Sequence, residues 1–99
     1  MKKLIELLQN EKLSYRTKRL ICAIHAIYTV KNPKEISVSV IADLLNETRA
    51  AITACCQELE DNRIACIEDN GNCSSCYFLI ETGELHKEIV IKLFNSNIP

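Results

Sequence analysis

Apolar residues recur with a helical period through roughly the first sixty positions of this chain and alternate with polar ones only beyond them. Residues 3–9 carry Leu4, Ile5, Leu7 and Leu8 and predict a short amphipathic helix. Ser14 then has the character of a cap for a longer helix reaching about Lys31, where Asn32 and Pro33 stop it. The middle of that helix, LICAIHAIYTV over residues 20–30, is apolar nearly all round. It is expected to be the central buried helix or part of a dimer seam. Residues 35–37 supply a short strand, and Ser37 or Ser39 caps the next helix through Leu45.

Residues 41–65, IADLLNETRAAITACCQELEDNRIA, carry the strongest local pattern: a short helix, a tight turn, a second helix and the start of a strand. Ile41, Leu44, Leu45, Ile52, Cys56, Leu59 and Ile64 fall where two helices joined by a turn bury side chains. Asn46 stands at the turn, where the backbone takes the left-handed conformation that Gly or Asn tolerates best. Thr48 is placed to accept from the free N–H groups of the second helix. Residues 64–68 and 77–81 then read as strands joined by DNGNCSSC, in which Asn70-Gly71 is a tight-turn signal. Gly83 breaks the chain, and residues 84–94 predict a closing amphipathic helix through Leu85, Ile89, Val90 and Leu93.

The expected order is helix, helix, short strand, helix, helix, strand, wing, strand, helix: a mostly α fold with a small β-wing, within the α+β class. Over residues 14–81 it resembles the winged-helix (winged helix-turn-helix) DNA-binding superfamily, with an added helix at each end, about 3–9 and 84–94. Repressors of the multiple-antibiotic-resistance and iron–sulfur types share the pattern, as do many phage and plasmid regulators. Two positions depart from it. Glu47 replaces the apolar residue usual after the turn, which should weaken the seam between the two helices. Asn62-Arg63 replaces the common residue-Gly pair at the end of the second helix, a place where Asn62 can adopt the left-handed conformation.

The resemblance implies that the second helix lies in the DNA major groove. With Ile52, Cys56 and Leu59 facing inward, the outward face carries Arg49, Ala50, Thr53, Ala54 and Gln57, and Thr48 stands at its start. Arg49 can bond guanine in the bidentate way, Gln57 can pair with adenine, and Thr53 can meet a phosphate or a thymine methyl. Against this, Glu58, Glu60 and Asp61 crowd the far end, and Glu68 and Asp69 open the wing. Carboxylates there repel phosphates, which dominate DNA affinity. The phosphate grip is therefore expected from Lys12, Arg16, Lys18 and Arg19 at the start of the long helix, doubled in a dimer.

Charge sharpens this division. The net formal charge is −1, but residues 1–34 hold eight basic against two acidic residues, and residues 35–99 four against eleven. A net of +6 facing a net of −7 suggests an anionic partner for the front half, head-to-tail contact between copies, or two solvated faces. The 99 residues suit one domain, in which pairing with a second copy would add stability. No apolar run is long enough to span a membrane. The start, MKKLIELLQNEK, resembles a signal peptide but is interrupted by Glu6 and followed by no small-residue cleavage site, so a cytoplasmic protein is expected.

Six cysteines complete the inventory. In a reducing compartment they are read as thiols rather than disulfides. Cys22, Cys55 and Cys56 lie at apolar helical positions and are expected in the core, with His25 a partly buried histidine and His86 a surface one. Cys73 and Cys76 have the two-residue spacing that lets two thiolates grip one metal, and Cys66 on the preceding strand can supply a third. This resembles the cysteine-bearing wing of ferrous-iron-transport accessory proteins and some iron–sulfur repressors, and implies zinc or an iron–sulfur cluster there, although no cofactor is the simpler expectation. Enzymatic chemistry finds no support: Gly71 and Gly83 are the only glycines, which excludes a phosphate loop, and no nucleophile–base pairing is suggested. Three readings follow: a dimeric regulator binding double-stranded DNA, a winged-helix module binding a protein partner, and a metal- or thiol-responsive switch.

Overall fold

Each of the three longer helices begins at a hydroxyl side chain. In the computed structural model, Ser14 caps α2 (Tyr15–Val30), Ser37 caps α3 (Val38–Leu45) and Thr48 caps α4 (Arg49–Asp61). Each accepts from a backbone N–H of the first turn, which would otherwise lack a partner. A short α1 (Lys2–Leu8) precedes them, and β1 (Ile36–Ser37), β2 (Ala65–Asp69), β3 (Cys73–Leu79) and β4 (Leu85–Phe94) complete the chain. The structure describes residues 2–31, 33–69, 71, 73–79 and 85–94, with 2, 3, 73, 79, 85–88 and 94 described in backbone only. The expected signals at Asn32, Asn70 and Gly83 lie outside the described residues.

The class is α+β, with four helices and a four-stranded mixed sheet among the described residues. The strand order is β1-β4-β3-β2, with β1 parallel to β4 and the other two pairings antiparallel. Direct pairing aligns Ile36, Ile91, Cys76 and Ile67 in one row across all four strands. Cross-strand partners share a face, and this row joins Ala65, Phe78 and Leu93 as the sheet's contribution to the core. Ile41 from α3, Ile52, Cys56 and Leu59 from α4, and Leu20 and Ile24 from α2 fill the other side.

The closing helix expected over residues 84–94 is instead β4. Its Ile89-Val90-Ile91 run is β-branched, and Ile91 and Leu93 are buried on either side of the half-buried Lys92, which is strand alternation. The position between β1 and β3 offers backbone partners on both edges. β1 begins only at the partner of Ile91, so Val90 lies beyond its reach; there the Tyr28 hydroxyl accepts from the Val90 N–H at 3.0 Å and donates to the Val90 carbonyl. Burial raises the Tyr28 pKa from its ordinary value, and the hydrogen bond to Val90 partly opposes this. The connection between β2 and β3 is also shorter than expected. β3 begins at Cys73, so DNGNCSSC contracts to residues 70–72 between two strands, with Gly71 at a φ of 93° and its N–H bonded to the Asp69 carboxylate.

Several burial expectations also change. Leu44 is exposed and Leu45 and Ile64 are half-buried, while Ile41, Ile52, Cys56 and Leu59 are fully enclosed. Cys22 is exposed rather than in the core, whereas Cys55 and Cys56 are buried. The turn after α3 matches expectation: Asn46 has φ 56° and ψ 47°, and the Glu47 N–H reaches the Ala42 carbonyl at 2.8 Å. At the end of α4 the left-handed residue is Arg63, at φ 61°, and not Asn62, at φ −97°. The Arg63 N–H bonds the Glu60 carbonyl and the Ile64 N–H bonds the Leu59 carbonyl, which closes the helix one residue later than expected.

An arginine in the left-handed region carries steric strain that glycine avoids. Arg63→Gly is therefore expected to raise stability by about 0.5–1 kcal/mol, and Asn62→Gly to lower it, in urea unfolding with an unchanged m value.

Candidate nucleic-acid interface

α4 presents two unlike faces. Ile52, Cys55, Cys56 and Leu59 are buried, and Arg49, Ala50, Thr53, Ala54 and Gln57 are exposed, as the helical period requires. Thr48 is exposed as well, with its hydroxyl engaged by the Ala51 N–H at 3.1 Å. The Gln57 amide donates to Glu60 and Asp61, at 3.1 and 3.2 Å, so its donor side is turned along its own helix.

The acids of this region have structural partners. Glu58 reaches the start of α2, where it accepts from the Ser14 N–H at 3.0 Å, from the Ser14 hydroxyl at 3.0 Å and from the Thr17 hydroxyl. A capping box normally takes this carboxylate from the third residue of the same helix. That residue here is Thr17, fully buried, and Glu58 supplies the missing carboxylate from another helix. Burial pushes the Glu58 carboxyl up, but the hydrogen bonds from Thr17 and Ser14 outweigh it and hold the pKa below its ordinary value. Glu60 accepts from the Ile67 N–H at 2.8 Å, which occupies a donor of edge strand β2 that another chain would otherwise pair with.

Glu47, expected to weaken the seam, makes ion pairs there. Its carboxylate lies 3.3 Å from Arg16 Nε and 3.5 Å from Arg19 Nη1, and Arg19 also donates to the Leu45 carbonyl at 3.1 Å. The turn before α4 is thereby tied to the first turns of α2. Two of the four cations expected to grip phosphate thus face an internal carboxylate. Lys18, two residues on from Arg16, stands on the far side of α2, and Lys12 precedes the helix. The four do not form one stripe.

The cysteines separate likewise. Cys66 pairs with Tyr77 and Ile67 with Cys76, so Cys66 and Cys76 fall on opposite faces of the sheet. Cys76 is buried and shares a hydrogen bond with Cys56 across the core. That bond and burial push the Cys56 thiol far up. Cys66 is raised by burial and by Glu60 and Glu68. Cys55 is raised by burial, against an opposing hydrogen bond with Thr17. The side chain of Cys73 lies outside the described residues, as does that of His86; His25 is half-buried. Among the described residues no group of three or more His, Cys, Asp or Glu side chains can hold a metal, and no helix is long and apolar enough to cross a membrane. Sequence reasoning missed the partners of Glu47 and Glu58, which lie 28 to 44 residues away and leave no local signal.

Because Glu58 is held ionised in the folded state, its stabilising effect is present above the ordinary carboxylate pKa and disappears as pH falls through the lowered folded value. Glu58→Gln is expected to unfold at lower urea than wild type at neutral pH, with the gap closing as pH falls below the ordinary carboxylate range. A gap independent of pH would remove the charge from this account.

No known family model, curated protein or solved structure matches this chain.

Proposed function

We propose that this chain is a winged-helix transcription regulator that reads double-stranded DNA with the outer face of α4, most readily as a homodimer. The observation that carries the reading is that face itself. Arg49, Ala50, Thr53, Ala54 and Gln57 are all exposed on a helix capped by Thr48 and set by the left-handed Asn46. The small alanines permit close approach to base edges, and Arg49 in the first turn has the reach and fork for a guanine. Lys12 and Lys18 add phosphate contacts, with Arg16 and Arg19 held in reserve by Glu47.

A second reading is favoured by that last contact. With Arg16 and Arg19 engaged by Glu47 and the Gln57 amide turned to Glu60 and Asp61, α4 can instead serve a protein-interaction module that binds no DNA. Its partner would carry basic groups to match the acidic back half of the chain. A regulatory role for Cys66 and Cys76 would need them to act from opposite faces of the sheet.

Two substitutions separate the readings in a salt-titrated binding assay on a selected random DNA library. Arg49→Ala is expected to cost about 1–3 kcal/mol of specific affinity and relax the sequence read at one position. Unchanged specificity would exclude α4 as the reader. Glu47→Gln releases two arginines and is expected to tighten binding and steepen the dependence of log K on log salt by about one to two. No DNA binding by wild type or by Glu47→Gln would leave the protein-interaction reading.

A further inference from the structure

Three of the five large apolar side chains that stand exposed among the described residues gather in one place. Val30 (79% exposed) at the end of α2, and Val40 (55%) and Leu44 (59%) on the outer face of α3, line a groove of about 690 Å³. Its deeper lining is Ile27, half-buried, and Ile36, buried. None of the exposed residues of α4 lines it. Side chains of this kind on a core-facing pattern, left in water, mark an interaction site.

The charges around the groove decide what it fits. Lys31, at the end of the α2 wall, belongs to the half of the chain with a net of +6. Asp43, on the α3 wall, and Glu35, which also meets Lys92 at 4.0 Å, belong to the half with a net of −7. Lys31, Glu35 and Asp43 are all exposed. A nucleic acid, an anionic lipid surface or a uniformly basic peptide would meet one wall of its own sign. A second copy of this chain, turned about a twofold axis, sets each basic wall against the other copy's acidic wall.

We propose that this groove between the end of α2 and α3 is the face on which two copies of the chain pair, Val30, Val40 and Leu44 meeting across a twofold axis and Lys31 of each copy facing Asp43 of the other. The inference rests on the fold and its charges and not on DNA binding. The pairing face is separate from the outer face of α4, none of whose exposed residues lines the groove.

Sedimentation equilibrium of the full chain without DNA tests it. Wild type is expected to dimerise reversibly as concentration rises. Val30→Asp, at a position too exposed to disturb the core, is expected to leave monomer alone, and to unfold in urea like wild type only at concentrations low enough for wild type to be monomeric. Lys31→Asp and Asp43→Lys each place like charges across the axis twice and are expected to weaken the dimer by about tenfold. Mixing these two variants restores association, since each supplies the wall the other has lost. A chain that stays monomeric at millimolar concentration overturns the proposal and leaves the groove to a different partner. So does a dimer indifferent to Val30→Asp, or a mixture that associates no better than its components.

Discussion

The carboxylate of Glu58 is the constraint on which the arrangement of helices depends. It is carried by α4 but completes the cap of α2, taking both the backbone N–H and the hydroxyl of Ser14 together with the hydroxyl of Thr17. The fully buried Thr17 sits on the core side of α2 and needs a polar partner there. Glu58 answers that need and satisfies the helix start at the same time. Once it does, the rotation of α4 about its own axis is set: Ile52, Cys56 and Leu59 turn to the sheet, and Arg49, Thr53 and Gln57 turn to solvent. The outer face of α4 is thus a consequence of what its inner edge must hold.

Glu47 repeats the device at the other end of α4. It lies just before α4 and draws Arg16 and Arg19 to it, so the first turns of α2 are bound to the α3–α4 unit at two points by acids. An exposed ion pair adds little by itself. Here one carboxylate, largely enclosed, meets two guanidinium groups, one of which also bonds the Leu45 carbonyl at the end of α3. The opposite charges of the two halves of the chain are partly an internal matter, met inside one molecule before any partner is involved.

What was legible in the sequence was what is decided within a few residues. Ser14, Ser37, Asn46 and Thr48 act locally, and each does what its residue type suggests. The hidden parts are those in which distant segments decide. Residues 84–94 satisfy a helical spacing of apolar positions as well as a strand spacing, and the choice between them is made by open edges on β1 and β3 that lie elsewhere in the chain. Arg63 takes the left-handed turn against its own preference because Ile64 must reach the Leu59 carbonyl. The spacing of Cys73 and Cys76 suggests a metal grip only if the segment is a loop; as part of β3 it obeys strand alternation, and Cys76 turns to Cys56 in the core.

The same distinction explains why the fold was easier to read than the site. A carboxylate held by internal partners and one left in solvent look identical in a sequence, yet the first repels an anionic partner far less. Glu58 and Glu47, counted as charges, argue against DNA. Counted as structure, they are largely occupied, and what faces outward from α4 is Arg49 with small and neutral residues. The remaining exposed acidity, at Asp61, Glu68 and Asp69, lies toward the far end of α4 and the hairpin. An electrostatic profile drawn along the chain therefore overstates the repulsion at the start of α4 and understates the number of cations withheld from solvent by Glu47. Affinity for a polyanion depends on the balance between those two corrections, the first set by Glu47 and Glu58 together and the second by Glu47 in the turn that joins α3 to α4.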